Sequence, residues 1–325
     1  MALDHTFCIA PMMSRSDRHF RYFLRLISKH VLLYTEMITT SALIHGDWRK
    51  LLDYDVSEHP IALQLGGNDP QELAYCAVLA EQMGYDEVNI NVGCPSNRVS
   101  SGSFGACLMA QPQLVAQCVN TMRRQVDLPI TVKTRIGIDE QDSYEWLTRF
   151  VSTVANGGCR TFIIHARKAW LQGLSPKQNR ELPPLRYDVV YRLKQDFPEL
   201  EIVLNGGLSS VPEAKIQLEY VDGVMLGREV YSNPYLLAAV DELFFAEDAV
   251  PPSRHEVIKR YIPYIDAQLA KGVPLSRITP HIMGLFQGLP GARGWRRELS
   301  SNARACGGLG KETVERALLQ INSQG

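Results

Sequence analysis

The chain has no apolar run approaching the roughly 18 residues needed to cross a bilayer, so nothing in it reads as a membrane span. The first residues, Met1-Ala2-Leu3-Asp4-His5, lack the basic stretch and apolar core of a secretory signal. Its seven cysteines (8, 76, 94, 107, 118, 159 and 306) are odd in number, scattered, and include no C-x-x-C pair. That spacing argues against a zinc site and against a disulfide framework, and a cytoplasmic setting is expected. Two phosphate-binding signatures are also missing. No G-x-G-x-x-G turn follows the first strand. Gly307-Gly308-Leu309-Gly310-Lys311-Glu312 has the wrong spacing for a P-loop and no Ser or Thr after Lys311. A doubly wound dinucleotide-binding sheet and a P-loop are thereby disfavoured.

What is present points elsewhere. The 325 residues, 45% hydrophobic and 21% charged, suit a soluble protein with one large domain and a smaller one. The net charge of −1 hides an asymmetry: residues 251–325 hold 11 Lys+Arg against 5 Asp+Glu, leaving 23 against 30 for the rest. A basic tail on an acidic body suits a polyanionic partner, although a solvated basic surface would look similar.

β-rich runs recur at 7–13, 32–38, 61–66, 87–94, 130–136, 161–166, 202–206 and 223–227, separated by helix-compatible stretches. Asp69-Pro70-Gln71-Glu72 and Asp142-Ser143-Tyr144-Glu145 carry helix-start chemistry, while Gly84 and Gly157-Gly158 fall where helices stop. Eight strand–helix units predict an α/β fold, a (β/α)8 TIM barrel. Pro251-Pro252 marks the approach to amphipathic helices expected at 255–269, 279–287, 293–304 and 311–321. The expected division is a barrel over 1–245 and a small C-terminal helical domain over 246–325.

In such a barrel, polar residues at the C-terminal strand ends share one mouth. The most informative end is Asn89-Ile90-Asn91-Val92-Gly93-Cys94-Pro95-Ser96-Asn97-Arg98, where Pro95 must stop the strand and leaves Asn91 and Cys94 at its end. Strand one ends Ala10-Pro11-Met12-Met13, an apolar turn able to lie against a flat ring, and strand three offers the amide of Gln64. Strand five puts Thr131, Lys133 and Arg135 on one face. A Lys aimed into a barrel mouth requires an anion or an electron-rich group, or a structural ion pair. Strand six ends at His165-Ala166-Arg167, and strands seven and eight end at Asn205-Gly206-Gly207 and Gly227-Arg228. Barrels commonly bind phosphate after these last two strands, where glycine lets backbone N–H groups approach.

Flavin mononucleotide fits this set, with its phosphate at Asn205–Gly207 and Gly227-Arg228 and its ring near Met12, Gln64, Lys133 and His165. A positive Lys near the N1–C2=O edge stabilises an anionic reduced flavin. A thiol opposite a reduced flavin suggests reduction of a polarised C=C bond, with hydride to one carbon and a proton to the other. Thiols have a pKa of about 8.5 and are mainly protonated near neutrality, which makes Cys94 a candidate acid. Nucleophilic thiol chemistry competes with this, but no His partner is evident in the adjacent sequence.

Taken in order, Ala10-Pro11-Met12, Asn91-Val92-Gly93-Cys94-Pro95-Ser96, Phe104–Met109, Val132-Lys133-Thr134-Arg135, His165-Ala166-Arg167, Leu174–Arg180, Asn205-Gly206-Gly207 and Gly227-Arg228 resemble the tRNA-dihydrouridine synthases, closely the bacterial A subfamily. The resemblance covers nearly the whole chain and departs most at Ser100-Ser101-Gly102-Ser103. It implies reduction of the C5=C6 bond of D-loop uridines in tRNA, with FMN as cofactor and NADPH as reductant. It further implies hydride transfer to C6, Cys94 as the proton donor to C5, and Asn91 against the substrate base. Cofactor-binding roles carry over to Pro11, Met12, Met13, Gln64, Lys133, His165, Asn205, Gly206, Gly207, Gly227 and Arg228. Roles in orienting the tRNA carry over to Lys177, Arg180, Arg293 and Arg296; Arg293, Arg296 and Arg297 share one face of an expected helix that Arg304 extends. The reacting base must leave its stack to reach the mouth. A monomer is expected. Two other readings remain open at this point: a flavin barrel acting on a free pyrimidine, as in dihydroorotate dehydrogenases, and a non-catalytic tRNA-binding protein.

Overall fold

Buried parallel strands read as short apolar runs because both faces are covered, and the eight expected here form. They are β1 Phe7–Ile9, β2 Leu32–Thr39, β3 Ile61–Gly66, β4 Glu87–Val92, β5 Ile130–Arg135, β6 Thr161–His165, β7 Glu201–Asn205 and β8 Gly223–Leu226. Each pairs in parallel with the next, and β8 pairs with β1 to close the barrel. The computed structural model describes residues 3–96, 103–246, 250–302 and 310–322. The alternation of side chains along each strand sends Val88, Ile90, Val92 and Val132 outward into a core shared with the surrounding helices. A smaller cluster of Cys8, Leu32, Tyr34, Ala62, Ile163, Val203 and Met225 belongs to the inner face.

The covering helices begin and end where local chemistry dictates. Helix Pro70–Met83 starts on the Asp69 carboxylate, which accepts from Gln71 N and Glu72 N, and stops at Gly84 in the left-handed conformation (φ 83°). Helix Tyr144–Asn156 is capped by the Ser143 hydroxyl. Helices Pro112–Arg123, Tyr187–Asp196 and Val211–Gln217 complete the principal cover.

The chain groups into two compact units, residues 1–13 with 32–226 and residues 14–31 with 227–325. This grouping differs from the expected split at 245/246 in two ways: the second unit begins at Gly227, and it takes in the segment between β1 and β2. Aromatic packing explains the second difference. Helix Arg18–Arg25 stacks Tyr22 on Tyr264 (4.0 Å between centroids) and sets Phe23 against Tyr261 (5.4 Å) on helix Arg254–Ala270. The His19 ring bonds the Tyr264 hydroxyl at 2.8 Å. Further helices of this unit are Leu275–Ile278, Ala292–Asn302 and Lys311–Asn322. The helix expected at 279–287 is absent: a single 3-10 turn, Thr279–His281, holds Pro280, and turns follow. Gly284 lies in this stretch against the chain after β8: a Cβ there would lie 2.2 Å from the Ser232 carbonyl oxygen, so no side chain fits.

Among the described residues no helix is long and apolar enough to cross a membrane, and no cluster of His, Cys, Asp or Glu could hold a metal ion.

Candidate active site at the barrel mouth

Strand register gathers the expected residues. Gln64 stands opposite Asn89, Asn91 opposite Lys133, Arg135 opposite His165, and His165 opposite Asn205. The turn after β4 is built by Asn91, whose Oδ1 accepts from Gly93 N (3.1 Å) and Cys94 N (3.0 Å). Such Asx turns fix the backbone through a side-chain oxygen. Cys94 is half-buried, its thiol 3.6 Å from Ser96 Oγ and its carbonyl accepting from Ala106 N at 2.9 Å. Asn91 Nδ2 in turn donates to Gln64 Oε1 at 2.9 Å.

Lys133 donates to Asn205 Oδ1 at 2.9 Å, and Asn205 Nδ2 donates to the Met225 carbonyl at 2.7 Å. Burial, reinforced by the Arg135 charge, lowers the Lys133 amine to about 7. Arg135 has a different task from its strand neighbour. Its guanidinium donates to the carbonyls of Gly93 (2.9 Å), Lys168 (3.0 Å) and Asn179 (3.1 Å), tying the Cys94 turn to the loop after β6.

Past β7 the backbone turns left-handed at two successive residues, Gly206 (φ 111°) and Gly207 (φ 77°). Side chains would not fit here. A Cβ on Gly206 would lie 3.2 Å from the His165 ring, and one on Gly207 would lie 2.4 Å from Leu185 Cδ1 and 2.8 Å from the Tyr187 hydroxyl. Tyr187 donates to the Gly206 carbonyl at 2.6 Å. Glycine at such positions carries no Cβ, so an anion can approach the backbone N–H groups closely. This cradle, with the partly buried Lys133 beside Asn205, fits a phosphorylated, electron-rich cofactor. Gly227 and Arg228 directly follow β8 and open the short helix Arg228–Ser232 of the second unit.

The turn after β1 divides in two. Met12 packs on the inner-face cluster, whereas Met13 is 58% exposed, and Pro11, just before them, is partly buried. Lys177 and Arg180 lie exposed on the loop after β6. That loop is stapled by the buried Asn179, whose side chain accepts from Trp170 N (2.7 Å) and donates to the carbonyls of Trp170 (2.9 Å) and Leu174 (3.3 Å). In the second unit, helix Ala292–Asn302 buries Trp295 and Leu299 and exposes Arg293, Arg296 and Arg297. Arg304, Cys306 and the stretch 97–102 lie outside the described residues.

Sequence reasoning gave no role to four residues that organise the site: His5, Glu87, Asn89 and Asn179. Glu87 and Asn89 were visible as the polar partners of Asn91 at every second position of β4. His5 sits beneath them, its Nε2 2.6 Å from Glu87 Oε2. Its Nδ1 lies 3.0 Å from Glu201 Oε2 with poor alignment, an ion pair rather than a directed hydrogen bond. Burial opposes the charge on His5, but the Glu201 and Glu87 carboxylates outweigh it and raise the imidazole to about 10.

Residues 8–322 match the family model described as dihydrouridine synthase (Dus). The chain is 59% identical over 321 residues to a tRNA-dihydrouridine(20/20a) synthase of Shewanella oneidensis, covering 99% of this chain and 95% of that protein. It is 59% identical over 314 residues to the Vibrio parahaemolyticus protein of the same name, with 96% of each covered. Against the Escherichia coli K12 protein of that name it is 59% identical over 302 residues, 93% of this chain and 87% of that one. A solved 2-naphthoyl-CoA reductase is similar with a TM-score of 0.57 at 12% identity, covering 73% of this chain and 50% of that chain. That likeness concerns the fold alone.

Proposed function

The chain belongs to the dihydrouridine synthase family, and from that premise we propose how its barrel mouth reduces uridine in tRNA to dihydrouridine with a flavin. The flavin is FMN. When bound, it supplies the hydride that the side chains cannot. Backbone N–H groups of Gly206 and Gly207, with Asn205 behind them, hold its phosphate. Gly227 and Arg228 are assigned to the same phosphate from their position after β8. Pro11, Met12, Met13, Gln64 and His165 bound the ring, and the Lys133 ammonium balances negative charge on it.

Cys94 holds the proton destined for uridine C5, and Asn91 both fixes the Cys94 turn and meets the base. Proton delivery from one side and hydride from the other require the uridine out of its stack and in the mouth. Lys177 and Arg180 on the barrel loop, and Arg293 and Arg296 on the helical unit, bind tRNA phosphates. NADPH restores the reduced cofactor. The relatives named for positions 20 and 20a suggest the same uridines here. The protein acts as a monomer in the cytoplasm.

One observation carries this reading: the Lys133–Asn205–Gly206–Gly207 cradle shares a barrel mouth with Cys94, whose backbone turn Asn91 holds. The test is the absorbance spectrum of the purified protein before and after anaerobic NADPH, followed by addition of unmodified tRNA. Flavin bands that bleach and return with dihydrouridine formation support the reading. Bands that return with free uridine or orotate, and not with tRNA, would replace tRNA by a free pyrimidine. A colourless protein that FMN cannot reconstitute would remove the redox chemistry altogether.

A further inference from the structure

TIM barrels fill their interiors with branched apolar side chains. Here β4 instead points Glu87, Asn89 and Asn91 inward, all buried, and the steps above employ only the last of them. These residues belong to a continuous chain. Cys94 N donates to Asn91 Oδ1 (3.0 Å), Asn91 Nδ2 to Gln64 Oε1 (2.9 Å), and Gln64 Nε2 to Asn89 Oδ1 (2.8 Å). Asn89 Nδ2 then donates to Thr131 Oγ1 (2.9 Å), and Thr131 Oγ1 to Glu87 Oε1 (2.6 Å).

The direction of every link is fixed from both ends. A backbone N–H can only donate and a carboxylate can only accept, so each of the three amides has one orientation that satisfies both neighbours. Turning Asn91 over would set its NH2 group against the Gly93 and Cys94 N–H groups and its oxygen against Gln64 Oε1. In a buried setting that mismatch costs more than in water, because no solvent replaces the lost partners. The floor end is itself held. Glu87 Oε1 also accepts from Tyr34 OH at 2.8 Å, and Oε2 meets His5.

We propose that Glu87, Thr131 and Asn89 are positioning residues for the reduction. The floor carboxylate sets, through this chain, the orientation of the Gln64 and Asn91 amides at the mouth, and so the turn that presents Cys94. The inference rests on the reading of Asn91 and Cys94 as the uridine-facing pair.

The test compares Thr131→Val, which removes the hydroxyl at nearly constant shape, with Thr131→Ser, which keeps it. Hydrogen exchange at the Gly93 and Cys94 amides, read by NMR with selective 15N labelling, should accelerate about tenfold in Thr131→Val. The single-turnover rate of uridine reduction should fall about tenfold, with the tRNA KM unchanged. Thr131→Ser should restore both. Unchanged exchange in Thr131→Val, or a Thr131→Ser variant that behaves like it, overturns the proposal.

If Thr131→Val does not fold, the wild-type protein decides. Side-chain amide protons of Asn89, Gln64 and Asn91 that exchange slowly support the chain, and free exchange overturns it. A protein that forms no dihydrouridine yet shows the expected exchange response contradicts the proposed function and leaves the positioning chain standing.

Discussion

Binding of an anionic cofactor beside Lys133 should make the protein take up a proton. Burial and the Arg135 charge lower this amine from 10.5 to about 7. At pH 8 only about a tenth of such amines carry a proton. Negative charge placed against the amine favours its charged form and reverses the shift. Return to the unperturbed value makes protonation essentially complete, so FMN binding at pH 8 should take up ~0.9 proton per site. At pH 6 the amine is already charged, and uptake should approach zero. Isothermal titration of deflavinated protein with FMN, in buffers of different ionisation enthalpy, measures this number directly. Lys133→Met should abolish the uptake. FMN binding with no buffer dependence at pH 8 would refute the placement of Lys133 against the cofactor's negative charge.

Three further outcomes follow from the same geometry. His5 is raised from 6.5 to about 10 by its carboxylates, so its contribution to stability is complete below pH 6.5 and lost as pH rises through 10; the stability gap between wild type and His5→Gln, read from denaturant midpoints, should shrink across that window, and a constant gap would contradict the buried imidazolium. Gly207→Ala forces a Cβ within 2.4 Å of Leu185 Cδ1 at φ 77°; it should cost about 1–3 kcal/mol of stability, and FMN affinity measured by fluorescence should fall with it, whereas unchanged affinity would move the phosphate elsewhere. Asn179→Ala removes three part-buried bonds from the loop carrying Lys177 and Arg180; on the order of 3 kcal/mol of stability should be lost, with accelerated exchange at Trp170 N, and a silent substitution would show that the Arg135 and Asp139 bonds suffice to hold the loop.

The barrel was legible in the sequence because its strands are buried on their outer face by apolar residues at every second position, bounded by Gly, Pro and capping residues. All eight strands begin within one residue of the expected start. Their ends fall short where side chains turn to the site: β1 stops at Ile9 rather than Met13, and β4 at Val92 rather than Cys94. The inward polar column was harder to read. Alternating Glu87, Asn89 and Asn91 looks like a solvent face in an open sheet, and only closure of the barrel turns that face into an interior. His5 and Glu201 meet this column from strand beginnings distant in sequence, which no local pattern encodes. Asn179 reads as an ordinary turn residue, because Asn favours loops for local reasons. The Ser14–Val31 segment was read with the barrel by its position between two strands; the Tyr22, Phe23, Tyr261 and Tyr264 contacts that group it with the second unit are tertiary.

The measurement that bears most directly on the account is dihydrouridine formation by Cys94→Ala. The variant should retain its flavin spectrum and be reduced by NADPH at the wild-type rate, because Cys94 lies outside the Lys133–Asn205–Gly206–Gly207 cradle. Its yield of dihydrouridine from unmodified tRNA in a single turnover should fall by about 10²–10⁴, the usual contribution of a positioned general acid. Wild-type turnover by Cys94→Ala would contradict the assignment of the thiol as proton donor.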